Sequence, residues 1–293
     1  MPGITNTKVI KFSAYTMQRF KQVQALLDKL DSQADPEAEP QALVVPGSPT
    51  PEGGIIVFPG SFNPPTTAHL AMLKQARHFA YLHGHMKVYA AISKHIVDKE
   101  AVERPLLVDR IVLLDTVLRH HLRHTGIMLF NRGLYVEQAQ GVRACSTYSP
   151  KVMELYFLIG FDKIVQILDP RYYEDRDAAL HELFALAELL VTPRGAAGTA
   201  ELTRLLDRPE NRQFASHIHA LPMNTAYRDI SSTRIREDLA DHEQEVPPEV
   251  RRFIRQTHAY APPVQLPDGS SIDCYGERVK AIEALLKHAN AGK

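Results

Sequence analysis

Two stretches far apart in the chain carry residues able to handle phosphate. The first, GSFNPPTTAH (60–69), follows the apolar run IIVF (55–58). Gly60 removes a side chain that would hold a ligand away, and Pro64 and Pro65 stiffen the turn. Thr66 or Thr67 then opens a helix whose free N–H groups and positive dipole end make an anion site. His69 falls in the first turn of that helix, where its ring can donate to a phosphate oxygen. The second stretch, ISSTRIR (230–236), opens another helix. Ser231, Ser232 and Thr233 can cap it, and Arg236, one turn in, brings a permanent planar cation to the same end.

These residues need elements to position them, and the hydrophobic pattern supplies an alternating series. Short β-rich apolar runs at 55–58, 87–92, 127–130, 156–160 and 189–195, with a weaker one at 216–221, predict strands. Between them the pattern predicts helices at 67–82, 106–123, near 149–154, in pieces between 162 and 188, and from ISSTRIREDLA onward. Buried strands separated by helices indicate an α/β fold: a doubly wound parallel sheet with helices on both faces. Ligands of such sheets bind beyond the carboxyl ends of the strands. Ahead of this body, residues 16–32 have the spacing of an amphipathic helix. The proline-, glycine- and acid-rich run 34–54 reads as a linker without regular structure. The expected division is therefore an N-terminal helix and linker (1–52), a main domain (53–262) and a C-terminal extension with a helix (263–293).

Composition narrows the classes of partner. The chain has 293 residues, with 34 Lys and Arg against 34 Asp and Glu, so nothing suggests bulk attraction to nucleic acid or to an anionic membrane. Any anion must be recognised locally. Cys145 and Cys274 lie far apart without metal-ligand spacing, which argues against a zinc site and a disulfide scaffold, and for a reducing, cytoplasmic (or nuclear) setting. No apolar run approaches the roughly 20 residues of a spanning helix, so the expectation is a soluble chain that is not secreted. His120, His121 and His124 include an i,i+4 pair that could bind a metal, but no Cys or acidic third ligand is nearby, and they read as cations at a helix end. Arg104, Arg110, Arg119, Arg123 and Arg132, against Asp109 and Asp115, give segment 104–132 a basic bias, of which solvated helix faces account for at least Arg119 and Arg123.

Taken together, the two phosphate-handling stretches resemble the HIGH-motif nucleotidyltransferases, and more narrowly the nicotinamide-mononucleotide adenylyltransferases, whose eukaryotic-type branch carries GSFNPxTxxH and ISSTxIR. Thr66 stands where the bacterial type has its first histidine. YFLIGFDKIVQI is similar to that family's IGADxL turn and LLVTPRG to its LxVxxRxG. Lys99 and Arg110 resemble its lysine and following helix arginine, and 246–263 its closing helix. The resemblance implies a Rossmann-like fold and ATP-dependent transfer of AMP to nicotinamide (or nicotinate) mononucleotide, with release of pyrophosphate, in NAD biosynthesis. It implies His69 and Arg236 as catalytic residues. Gly60, Ser61, Phe62, Thr66, His69, Ser231, Ser232, Thr233 and Arg236 would bind ATP. Asn63, Lys99, Arg110, Asp162, Tyr172 and Arg194 would bind the acceptor. Mg²⁺ would accompany ATP with few protein ligands, and no metal-binding residue is assigned. Expected partners are ATP and a mononucleotide, with no nucleic acid and no membrane, and with room for a homo-oligomer. The family's nicotinamide-stacking tryptophan is absent, since the chain has no Trp, which leaves Tyr172 or Tyr173 to offer an aromatic face. Two alternatives stay open: cytidylyl transfer to a phosphorylated alcohol, and a non-catalytic nucleotide-binding regulator.

Overall fold

The computed structural model describes residues 10–31, 39–94, 104–145, 151–192 and 198–290. In chain order its elements are α1 (Ala14–Asp31), β1 (Ala42–Val44), β2 (Gly53–Pro59), α2 (Thr67–Leu82), β3 (Lys87–Ser93), α3 (Leu107–His121), β4 (Thr125–Phe130), α4 (Tyr135–Ala144), β5 (Val152–Gly160) and α5 (Phe161–Ile167). They continue with α6 (Arg176–Leu186), β6 (Glu188–Thr192), α7 (Gly198–Leu206), β7 (Ile218–Ala220), α8 (Ser232–Glu237), α9 (Pro248–Thr257), β8 (Val264–Gln265), β9 (Ser271–Ile272) and α10 (Cys274–Asn290).

The main sheet has the order β1-β4-β3-β2-β5-β6-β7, parallel except for β1. From β2 the chain winds outward through β3 and β4, then returns to β5 on the other side of β2. The crevice at the carboxyl ends of β2 and β5 is thus the topological switch point, where ligands of doubly wound sheets bind. Side-chain alternation along each strand divides the interior in two. Ile56 and Phe58 of β2 face a core shared with α1, α2, α3, α9 and α10. Ile55 and Val57 face a second core with α4, α5, α6 and α7. No helix among the described residues is long and apolar enough to cross a membrane.

Two sequence expectations are corrected. Part of the run read as an irregular linker is β1, which pairs antiparallel with β4 from Ala42↔Phe130 to Val44↔Met128. The apolar triplet between Pro40 and Pro46 sits at the sheet edge, where flanking prolines are tolerated because one side of the strand needs no partner. The approach to β1 also explains Gly141 in mid-helix: a Cβ there would lie 2.9 Å from the carbonyl carbon of Gln41. The helix expected near 149–154 is not found either. Residues 146–150 lie outside the described residues, Val152–Glu154 already belong to β5, and the crossover helix is α4, earlier in the chain. The strand expected at 189–195 is described as Glu188–Thr192, with 193–197 outside the described residues.

Candidate active site

The turn after β2 is built around its own buried aromatic. Phe62 adopts φ 44°, a left-handed conformation that is costly for a bulky residue and persists where packing enforces it. Its ring is 1% exposed, 5.4 Å from the Phe58 ring and 4.9 Å from the His69 imidazole. The sequence expectation put Phe62 among ligand contacts; its side chain instead lies behind the loop, supporting His69 from below. The same packing explains Gly60, since a Cβ there would stand 3.1 Å from the Phe62 ring.

α2 begins with a reciprocal cap in which histidine takes the place usually held by Glu or Gln. Thr66 Oγ1 accepts from the His69 N–H (3.2 Å), and His69 Nδ1 accepts from the Thr66 N–H (2.9 Å). An accepting Nδ1 leaves the proton on Nε2, so the cap fixes the tautomer and presents an N–H donor at the far edge of the ring. Burial lowers the imidazole pKa to about 4, so the ring is neutral at pH 7. The remaining N–H groups of the first turn, those of Thr67 and Ala68, have no acceptor among the described residues, which is the condition for receiving an anion.

The second stretch docks on the first. Ser232 Oγ donates to the Pro64 carbonyl (2.9 Å) and Arg236 Nη1 to the Asn63 carbonyl (2.7 Å), while Thr67 Oγ1 donates to the Glu245 carbonyl (3.1 Å). The expected cap is not made: Ser231 holds the N-cap position of α8 without a side-chain bond, and Ser232 is spent on Pro64. α8 is only 6 residues long, so Arg236 rather than a helix dipole supplies its positive charge. Arg236 also donates to Thr233 Oγ1 at 3.3 Å.

A second cation stands beside the same loop. Arg110, in the first turn of α3, is 6% exposed and donates to the Ser61 carbonyl at 3.4 Å, and its Nε has no partner among the described residues. Burial and the neighbouring Arg236 both lower its pKa, burial more, an uncompensated desolvation that an arriving anion would relieve. Asn63 is wholly buried: its Oδ1 accepts from Tyr260 (2.7 Å) and its Nδ2 donates to the Arg104 carbonyl (3.4 Å). Its side chain therefore ties the loop down rather than facing a ligand.

Gly60 and Ser61 also rim a cavity of about 470 Å³ that continues under the N-terminus of α4, along α5 and over α6. Its wall is largely apolar, with Leu134, Tyr135, Tyr172 and Tyr173, and with Lys163 as its cation. Tyr172, 52% exposed, lies in a 3-10 turn at Pro170–Tyr172, while Tyr173 is anchored by its hydroxyl to the Ile167 carbonyl (2.8 Å). Asp162 is exposed in the first turn of α5 and does not line the cavity. Lys99 and Arg194 fall in 95–103 and 193–197, outside the described residues. Sequence reasoning missed Tyr260, Lys163 and the α4 start. Tyr260 lies within the stretch 246–263 that resembles the family's closing helix, and its hydrogen bond to Asn63, 197 residues away, leaves no local signal.

A family model described as cytidylyltransferase-like matches residues 57–238, from within β2 to the end of α8, which spans both stretches, 60–69 and 230–236. The chain belongs to this family. It is therefore a nucleotidyltransferase-type enzyme of Rossmann-like α/β fold. A Schizosaccharomyces pombe protein assigned as a nicotinamide mononucleotide adenylyltransferase is 24% identical over 262 residues, covering 83% of this chain and 99% of the relative. Among solved structures, a Plasmodium falciparum nicotinic acid mononucleotide adenylyltransferase complexed with NaAD has a TM-score of 0.50 at 17% identity, over 71% of this chain and 97% of that one. The same parasite's enzyme complexed with APC gives a TM-score of 0.48 at 16% identity, over 71% and 96%. At 17% identity, the likeness to the first of these speaks to fold alone.

Proposed function

We propose that the protein transfers the adenylyl group of ATP to nicotinamide mononucleotide or its acid form. A phosphate oxygen of the acceptor attacks the α-phosphorus in line, the bond to the bridging oxygen breaks, and pyrophosphate leaves as NAD or its deamido form is made. The observation carrying this reading is the meeting of the two stretches at residues 63–69, where a neutral Nε2–H donor on His69 and the guanidinium of Arg236 share one loop. Such chemistry asks the protein only for alignment and charge stabilisation. His69 donates to a phosphate oxygen of ATP, Arg236 and Arg110 neutralise charge on the departing group, and the backbone of Gly60 and Ser61 lets the triphosphate approach. Mg²⁺ accompanying ATP would add further neutralisation of the phosphate charge.

The acceptor occupies the cavity beside Ser61, with Tyr172 as the flat face for the pyridine ring; the volume suits a mononucleotide base and sugar. The relative and the solved neighbour carry the names of adenylyltransferases for these two mononucleotides, which supports the choice. The test is pyrophosphate release by the purified chain from ATP or CTP, each offered with nicotinamide mononucleotide, nicotinate mononucleotide and a phosphorylated alcohol. Release confined to ATP with a pyridine mononucleotide is expected. Preference for CTP, or nucleotide binding without turnover, overturns the reading.

A further inference from the structure

The first turn of α3 is held from outside by the C-terminal extension, which lies beyond the family match. Asp109, 1% exposed, receives Arg278 through Nε and Nη2 at 2.7 Å each, and the Tyr275 hydroxyl at 3.0 Å. That same hydroxyl accepts from the backbone N–H of Leu106 at 2.8 Å, where α3 has no side-chain cap of its own. Asp273 pairs with Arg104, whose guanidinium also lies 5.7 Å from the centroid of the Tyr275 ring. Arg278 in turn sits against the rings of Phe12, Phe20 and Phe253, at 5.0, 5.9 and 5.4 Å.

The other side of this turn faces the phosphate loop. Arg110, adjacent to Asp109 in the chain, reaches the Ser61 carbonyl, and the Arg104 carbonyl receives Asn63. One rigid turn thus joins the extension to the loop. We propose that Tyr275 and Arg278 are positioning residues, which set Arg110 beside Arg236 for binding the phosphates of the nucleotide substrate. The inference rests on the functional reading above only in taking those two guanidinium groups as an anion site. Arg278 acts at a distance because a bidentate pair fixes both position and orientation of Asp109, and a helical turn transmits both to the next residue.

Calorimetric titration of the full-length chain with inorganic pyrophosphate tests this without requiring turnover. Tyr275→Phe keeps the ring and the Arg278–Asp109 pair but removes the cap on Leu106; it is expected to weaken pyrophosphate binding roughly threefold to tenfold. Arg278→Met is expected to weaken it further, and Arg278→Lys to restore part of the loss. Ile282→Val trims a buried side chain elsewhere on α10 and is expected to lower the melting temperature while leaving the affinity unchanged. Folded Tyr275→Phe protein with wild-type affinity overturns the proposal, as does a wild-type chain that ignores pyrophosphate, or weakening by Ile282→Val that matches its loss of stability. If the wild type binds pyrophosphate in this extension-dependent way yet releases none from any triphosphate, the positioning role stands and the transferase reading falls.

Discussion

Two places in this molecule bring arginines against the same helix and loop, and they differ in what meets the charge. On the outer side of α3, Arg19 from α1 pairs with Asp115 and Arg278 from α10 pairs with Asp109, each through two nitrogens onto two carboxylate oxygens. At the loop after β2, Arg236 and Arg110 meet only the backbone carbonyls of Asn63 and Ser61 and the Thr233 hydroxyl, and no carboxylate among the described residues. A guanidinium matched by a buried carboxylate is spent on structure. One held by neutral acceptors in partial burial keeps its charge for an incoming anion.

The contrast is broken most directly at the loop. His69→Ala or Arg236→Ala removes a donor aimed at the transferring group, for which a loss of about 2.7–4 kcal/mol of transition-state stabilisation is typical. Turnover is expected to fall roughly a hundredfold or more while the far-ultraviolet circular dichroism stays native. Steady-state pyrophosphate release checks it, and wild-type kcat in either variant removes that residue from the chemistry.

Arg19→Met should do the opposite. It leaves the buried Asp115 with the half-exposed Arg119 (Nε to Oδ2 at 3.0 Å) and the Tyr15 hydroxyl (3.1 Å) but without its buried cation, a loss of about 3 kcal/mol of folding stability. Turnover per folded molecule is expected to be unchanged, because Arg19 touches nothing in the loop. Urea unfolding with parallel kinetics measures both, and a drop in kcat without a drop in stability would erase the division between the two regions.

How much of this was legible in the sequence follows the same division. The loop and the strand-helix alternation were readable because local chemistry fixes them: IIVF followed by GSFNPP has few conformations, and α2 runs over the expected Thr67–Leu82. The docking of ISSTRIR on the loop was expected only as a convergence, and the structure adds the particular bonds of Ser232 and Arg236. The ion pairs of Arg278 with Asp109 and of Arg19 with Asp115 were not readable. Asp109 and Asp115 appeared as minor charges within a basic helix, because their partners stand at positions 278 and 19, and pairs so distant in sequence leave no periodic signature. β1 was missed for a related reason: three apolar residues between prolines become a strand only when the edge of β4 is there to pair with.

A smaller effect sharpens the acceptor half of the site. Tyr172→Ala is expected to raise the KM for the mononucleotide roughly threefold to tenfold, the scale of one aromatic stacking contact, with kcat little changed. Tyr172→Phe should behave as wild type, since its hydroxyl has only a marginal 3.5 Å contact with Gln166. A KM for ATP that moves instead would place the ring at the other nucleotide.

The smallest expected effect on turnover concerns pH, and its sign follows from the burial of the His69 ring. An unfolded chain protonates His69 near the ordinary value of 6.5, whereas in the fold burial lowers this to about 4. Between those values the unfolded state holds the extra proton, so this ring's contribution to stability is complete above about 6.5 and is lost as pH falls toward 4. The donor on Nε2 persists across that window, because Nδ1 goes on accepting from Thr66 and the ring stays neutral. Turnover should therefore show no break near 6.5 from this residue. The Cε1–H resonance of His69, followed by NMR, reports the titration directly. A midpoint near 6.5 would mean that the ring is a cation in slightly acid solution, and that the loop meets phosphate with three positive groups rather than with two and a neutral donor.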